Sequence, residues 1–250
     1  MMTWLAGVGR YVPLLVLGIA WEFASRSGLV NAKALPPLSE VSRAWLDLLA
    51  SGDLIYHGRS SLMNLVAGLS LSVLVGVTLG VVMARIRWID DLVSPLVKSI
   101  YPLPKSALIP VLIMWFGLGA ASKIAAIFIG SLLPLVTSAY NGARGVERVL
   151  IWSAMSAGAS RTRVLWDIVL PAARPDILVG LRNALALAFI LLVSSEFLIG
   201  QQGLGYLISF LGEGGLYASM FAGVLTVSAA GFLCDRIYLR VMERALAWQR

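Results

Sequence analysis

The chain has 250 residues, 59% of them hydrophobic and 13% charged, with a mean hydropathy of +0.86. Soluble domains carry about a quarter charged residues, so a water-soluble core of this size is excluded and lipid must solvate much of the surface. One cysteine (Cys234) and one histidine (His57) rule out an internal disulfide and a Cys/His metal cluster, and the net charge of +7 reads as basic residues on cytoplasmic loops rather than a nucleic-acid surface.

A helix needs about 20 residues to cross the hydrocarbon core. The first apolar run, about residues 11–27, is short and carries Glu22 near its far end; Trp21 and Arg26 at the interface would let it span. It passes into Trp21-Glu22-Phe23 without a small-residue cleavage site, so it is read as a retained first span anchored by Glu22. Pro36-Pro37 predicts a turn. Ser39 is expected to cap an amphipathic helix, Glu40 to Leu49, whose apolar positions are Val41, Ala44, Trp45, Leu48 and Leu49. His57 is expected in a solvated outer loop.

Residues 60–84 form an uninterrupted span between Arg59 and Arg85. Gly68, Ser72, Gly76, Gly80 and Ala84 recur every four residues and share one face, where helix backbones can approach closely. Packing within the chain is preferred to a dimer contact for that face. The third span, 92–117, carries Lys98, Lys105 and four prolines (Pro95, Pro102, Pro104, Pro110), so it is expected to be kinked and to face the protein interior. Trp115 ends it at an interface. Residues 124–143 are a fourth span, 177–200 a fifth with a small-residue face at Gly180, Ala184 and Ala188, and 216–234 a sixth. Gln201 to Gly215 is glycine-rich and predicts an outer loop with a short dipping helix over Leu204 to Leu211. Asp235 to Arg250 reads as a basic amphipathic tail, and Arg182 as reaching the headgroups.

Six spans put both termini on one side. Loops on that side hold 12 of the 20 Lys and Arg residues, and the other side holds five (Arg26, Lys33, Arg43, Arg59, Lys123). The excess marks the termini and the 144–176 loop as cytoplasmic. The expected fold is all-α: a polytopic membrane protein with six transmembrane helices forming one domain, 1–250.

The 144–176 loop is the polar feature between apolar spans. Ile151 to Ala157 is helix-compatible, and Gly158 allows a tight reversal because it tolerates positive φ. Ser160 is a candidate N-cap for a second short helix, Arg161 to Val169, which Pro171 is expected to stop. The small residues Ser153, Ala154, Ala157, Ala159 and Ser160 make the bend smooth enough to fit a groove on a partner. The plainer alternative is a connector lying on the headgroups.

The loop resembles the cytoplasmic signature of binding-protein-dependent ABC importer permeases, EAA, three residues, G, about nine residues, then I-x-LP. Ala154, Gly158, Ile168, Leu170 and Pro171 stand in register with it. YPLPKSALIPVLIMWFGLGAASKI, LPPLSEV, GLRNALALAF, SSEFLI, GLGYLI and Trp248 are similar to the nitrate, sulfonate and taurine branch over nearly the whole chain. Trp152 and Ser153 depart from it, standing where the glutamate and first alanine would be.

The resemblance implies a type I importer fold with a cytoplasmic coupling helix. Two permease copies, expected to be identical, would form a pathway for a small, anionic, sulfonate-, taurine- or nitrate-like solute. Trp152, Ser153, Ala154, Ala157, Gly158, Ala159, Ser160 and Arg161 would dock each copy on one of two ATP-binding cassette subunits. ATP and magnesium would sit on that ATPase, with no cofactor or catalytic residue on this chain, and a separate solute-binding protein would deliver the solute to the outer face of the bacterial inner membrane. The chain itself lacks a phosphate-binding Gly-rich Lys loop. Pathway candidates are Glu196, Ser195 beside it, Lys105 and Trp115; for Glu196 the structural alternative is an ion pair or an interfacial acid, and for Lys105 a snorkelling side chain. The competing function is an ATPase-independent channel or an ion-coupled secondary carrier. A coupled carrier would want paired intramembrane acids or internal repeats, and only Glu196 lies deep. A membrane enzyme would want a His cluster, a Ser/His pair or paired acids.

Overall fold

The computed structural model describes residues 12–31 and 33–247, so Arg10, Tyr11, Trp248 and Arg250 lie outside the described residues. Among those described there is helix and no strand. In chain order the helices are α1 (Val12–Arg26), α2 (Leu38–Ala50), α3 (Asp53–Arg85), α4 (Arg87–Ile100), a 3-10 turn (Lys105–Leu108), α5 (Ile109–Phe116), α6 (Ala120–Arg144), α7 (Arg148–Ser156), α8 (Arg161–Val164), a π turn (Leu165–Val169), α9 (Leu170–Ile199), α10 (Leu204–Glu213) and α11 (Tyr217–Ala245). Four helical runs are long and apolar enough to cross a membrane: α3, α6, Arg161–Leu198 and α11. The pair Arg87–Ile100 and Lys105–Phe116 would make a fifth, bent by 94°.

α6 is the central rod, with α3 on one side and α9 on the other. The small-residue face of α3 is consumed inside the chain, as its spacing suggested. A Cβ on Gly68 would lie 2.7 Å from Ile127 Cβ, one on Gly76 2.8 Å from Leu135 Cβ, and one on Gly80 2.4 Å from the Val136 carbonyl. Ser72 Oγ lies within hydrogen-bond reach of the carbonyls of Gly68 (2.8 Å) and Phe128 (3.0 Å), tying the two helices. On the other side, Ala184 and Ala188 are fully buried, and the Ser131 hydroxyl donates to the Ala184 carbonyl across 3.1 Å.

Several expectations are corrected. The third span is not one kinked helix: three of its four prolines fall at the break, Pro102 and Pro104 between α4 and the 3-10 turn and Pro110 opening α5, while Pro95 is accommodated inside α4. Only α5 faces inward, through Ile109 and Leu112, whereas α4 buries no residue and shows a stripe of Trp88, Leu92 and Leu96. Pro171 does not stop the second short helix. It lies inside a helical run that is continuous from Arg161 to Leu198, directly after the π turn, where the Leu170 N–H donates to the Leu165 carbonyl and the winding is widened to admit a residue without an N–H.

Ser39 is not an N-cap, since Leu38 is already helical and the cap residue is Pro37. Its N–H (3.1 Å) and hydroxyl (2.8 Å) instead donate to Glu22, which also pairs with Arg26 at 2.6 Å. Arg182 does not reach out to headgroups: it forks onto Asp235 of α11 at 2.8 and 3.1 Å. The stretch after Cys234 continues α11 rather than forming a separate tail. His57 is not in a loop but in the first turns of α3, half-buried.

Candidate functional site

The 144–176 segment is built by local chemistry. α7 ends in a left-handed glycine, Gly158 (φ 86°). The Ala159 N–H donates back to the Ala154 carbonyl and the Gly158 N–H to the Met155 carbonyl, both at 3.0 Å. This is the Schellman arrangement, which satisfies carbonyls that the helix end would leave open. Ser160 then caps α8, its Oγ accepting the Arg163 N–H at 3.2 Å. Helix, tight bend and helix are therefore present as the residues predicted.

Ala154 and Ala159 turn inward with Ile151 and pack on Val81, Ala139, Ala143 and Val164. Trp152 (61% exposed), Ser153, Ala157, Gly158, Ser160 and Arg161 face outward. A Cβ on Gly158 would meet nothing within 4 Å. Sequence reasoning emphasised the small residues and missed the apolar edge beside them: Val149, Leu150, Met155 and Trp166 are also exposed. Their signal was present, because an amphipathic nine-residue helix with large residues on its free face needs a cover. Next to α7 lies a polar groove of about 480 Å³, lined by Arg85, Arg87, Arg144 and Arg148 with Asp90 and Asp91.

The four pathway candidates do not converge. Lys105 donates to the Tyr101 carbonyl and stands over its ring at 5.3 Å. Trp115 is 68% exposed at the end of α5. Ser195 is buried and its hydroxyl donates to the Leu192 carbonyl at 2.9 Å. Glu196 is fully buried, and its Oε2 accepts the Ser61 hydroxyl at 2.7 Å and the Gly205 N–H at 3.1 Å. His57 Nδ1 accepts the Gly203 N–H at 3.2 Å, and buried Lys123 donates to the Gln202 carbonyl at 2.7 Å. A separate cavity of about 380 Å³ sits in the angle of the broken span, between α4 and α6, lined in part by Ser94, Lys98, Tyr101, Thr137, Tyr140 and Asn141. Thr137, Tyr140 and Asn141 had no sequence signal apart from lying on an apolar span.

A long central helix flanked by two others, a broken span, and a helix–bend–helix insert before α9 make up a fold that matches that of type I importer permeases. The match to the family of binding-protein-dependent transport system inner membrane components covers residues 76–246, and the chain belongs to that family. It is 32% identical over 238 residues to the taurine transport system permease protein TauC of Escherichia coli strain K12, covering 93% of this chain and 86% of TauC. It is 29% identical over 238 residues to the putative aliphatic sulfonates transport permease protein SsuC of Bacillus subtilis strain 168, covering 95% and 86%. The fold matches a chain of the inward-facing MetNI methionine ABC transporter with a TM-score of 0.68 at 15% identity, covering 78% of this chain and 97% of that one. The protein is thus a multi-pass component of an inner-membrane ABC transport system.

Proposed function

We propose that the chain is the permease subunit of an ATP-driven importer for a small organic anion of the sulfonate class, in which two identical copies enclose the pathway and six spans per copy put both termini in the cytoplasm. The observation that carries this reading is the exposed bend at Gly158. Its shape comes from hydrogen bonds made within a few residues, its outer surface is small and smooth, and large exposed apolar side chains flank it. Such a knob suits a groove on an ATP-hydrolysing subunit. The names of TauC and SsuC support a sulfonate as solute.

Trp152 stands where the family signature has a carboxylate, so the contact made from that position is apolar rather than acidic. The arginine-lined groove beside α7 supplies the polar part of the docking surface and suits carboxylates on the ATPase. ATP and magnesium belong to that partner. A solute-binding protein delivers solute to the opposite face, and alternating access moves the spans about a central site. Lys98, at the edge of the cavity between α4 and α6, is the cation placed to attract an anion on its way through.

The test is reconstitution of the permease with its cognate ATPase and binding protein in liposomes, followed by uptake of labelled taurine. Uptake that requires all three components and ATP is expected. Solute flux through the permease alone would overturn the reading in favour of a channel or secondary carrier.

A further inference from the structure

The stretch Gly200 to Gly205 carries chemistry that coupling to an ATPase does not call for. The first N–H groups of a helix have no partner inside the helix. At the start of α10 they point into protein, and Gly203 has no side chain with which to cap them. Three side chains from other helices do so. His57 of α3 takes the Gly203 N–H, Ser61 of α3 takes the Leu204 N–H at 2.8 Å, and Glu196 of α9 takes the Gly205 N–H. Lys123 of α6 adds a fourth attachment at the Gln202 carbonyl.

Glu196 is the centre of this arrangement. The Ser61 hydroxyl accepts the Leu204 N–H and donates its own hydrogen bond to Glu196 Oε2, so one carboxyl oxygen supports two of the three capped groups, one directly and one through Ser61. The acid also faces the positive end of α10. The backbone is moulded around it. A Cβ on Gly203 would lie 2.1 Å from Glu196 Cδ, and one on Gly205 2.7 Å from Glu196 Cβ and 2.6 Å from the Val193 carbonyl. Past the clamp, Leu204, Leu207 and Leu211 pack with Val41, Leu48, Leu54 and Ala222, which joins α2, α3 and α11 to the same point.

We infer that Glu196 is a positioning residue: with Ser61, His57 and Lys123 it clamps α10 to the adjoining ends of α3, α6 and α9, so that these four elements move as one body during transport. The coupling consequence rests on the importer reading, whereas the clamp itself does not.

The probe is Leu207, buried on α10. Leu207→Cys in a Cys234→Ser background is assembled with the ATPase in liposomes and exposed to a membrane-impermeant maleimide on the side of α10, with and without ATP. Protection in both conditions is expected. Adding Glu196→Ala, which leaves buried donors unmet, should speed labelling about tenfold or more and lower the solute moved per ATP. Glu196→Gln keeps an acceptor oxygen and should fall between, a rescue that mere filling of space would not distinguish from Glu196→Met.

If Glu196→Ala does not assemble, Ser61→Ala and His57→Ala each remove one point of the clamp and should each raise labelling. Labelling that rises with ATP while Glu196 is intact would overturn the proposal, because α10 would then move alone. So would unchanged labelling and coupling in Glu196→Ala or, failing that variant, in both single-point variants. The labelling is repeated on the permease without ATPase. A wild-type chain that never shows ATP-driven uptake, yet keeps this protection pattern, would sink the importer reading and leave the clamp standing.

Discussion

Gly158 (φ 86°) and Gly203 (φ 116°) both reverse the chain through backbone conformations that L side chains rarely adopt, and they sit at opposite ends of the run through α9. Around Gly158 every hydrogen bond that makes the bend comes from within a few residues, and the space beside its Cα is open. Around Gly203 two of the three capping partners come from 143 and 146 residues away, and the third, the Glu196 carboxyl, fills the space a side chain would need. A bend that needs no help can be offered to another protein. A bend that needs three helices belongs to the interior.

The largest effect should fall at Gly203. Gly203→Ala combines an unfavourable φ with a clash into Glu196 and should cost about 3 kcal/mol or more. Thermal unfolding in detergent reads this directly, and a wild-type melting point would break the contrast between the bends. Gly158→Val comes next: the strained φ alone costs about 1–2 kcal/mol, so the protein should remain folded in the membrane. Binding of the ATPase and uptake should nonetheless be lost, and normal assembly in that variant would remove the docking role from the bend.

Ser160→Ala takes away the cap of α8 and should cost about 1 kcal/mol, seen as faster hydrogen exchange over residues 161–164 with no change at α10. Trp152→Ala should shift stability by less than about 0.5 kcal/mol, as for an exposed residue outside any network. It should weaken ATPase binding several-fold in a pull-down titration, and full affinity would return the docking role to the small residues alone. Smallest of all, Lys98→Ala should raise the concentration of sulfonate needed for half-maximal uptake a few-fold without altering assembly. An unchanged value would move the pathway away from the α4–α6 cavity.

The same contrast explains what was legible in the sequence. The Gly158 bend and the Ser160 cap could be read because their partners are neighbours in the chain, and the four-residue spacing from Gly68 to Gly80 because helix geometry puts those positions on one face. Ser39 and Pro171 were misread for a shared reason. Each was assigned the role its local context allows, while the structure drew on a second solution: Glu22 on another helix in one case, a π turn in the other. His57, Ser61 and Lys123 carried no local mark of their role, since they act on a segment more than 75 residues further along. Glu196 stood out as an expensive acid within a span, but its glycine cradle reads in sequence only as a flexible loop.

The absence of any break at Pro171 has a mechanical consequence. The helical run Arg161–Leu198 is 38 residues long, about 57 Å at 1.5 Å per residue, nearly twice the thickness of the hydrocarbon core. It begins three residues after Gly158 and ends beside Glu196. One helical run therefore joins the two bends, its winding locally altered only near the Gly158 end, by the π turn and by Pro171 and Pro175. A displacement imposed at the Gly158 end is delivered to the far side of the membrane without a relay of intermediate joints.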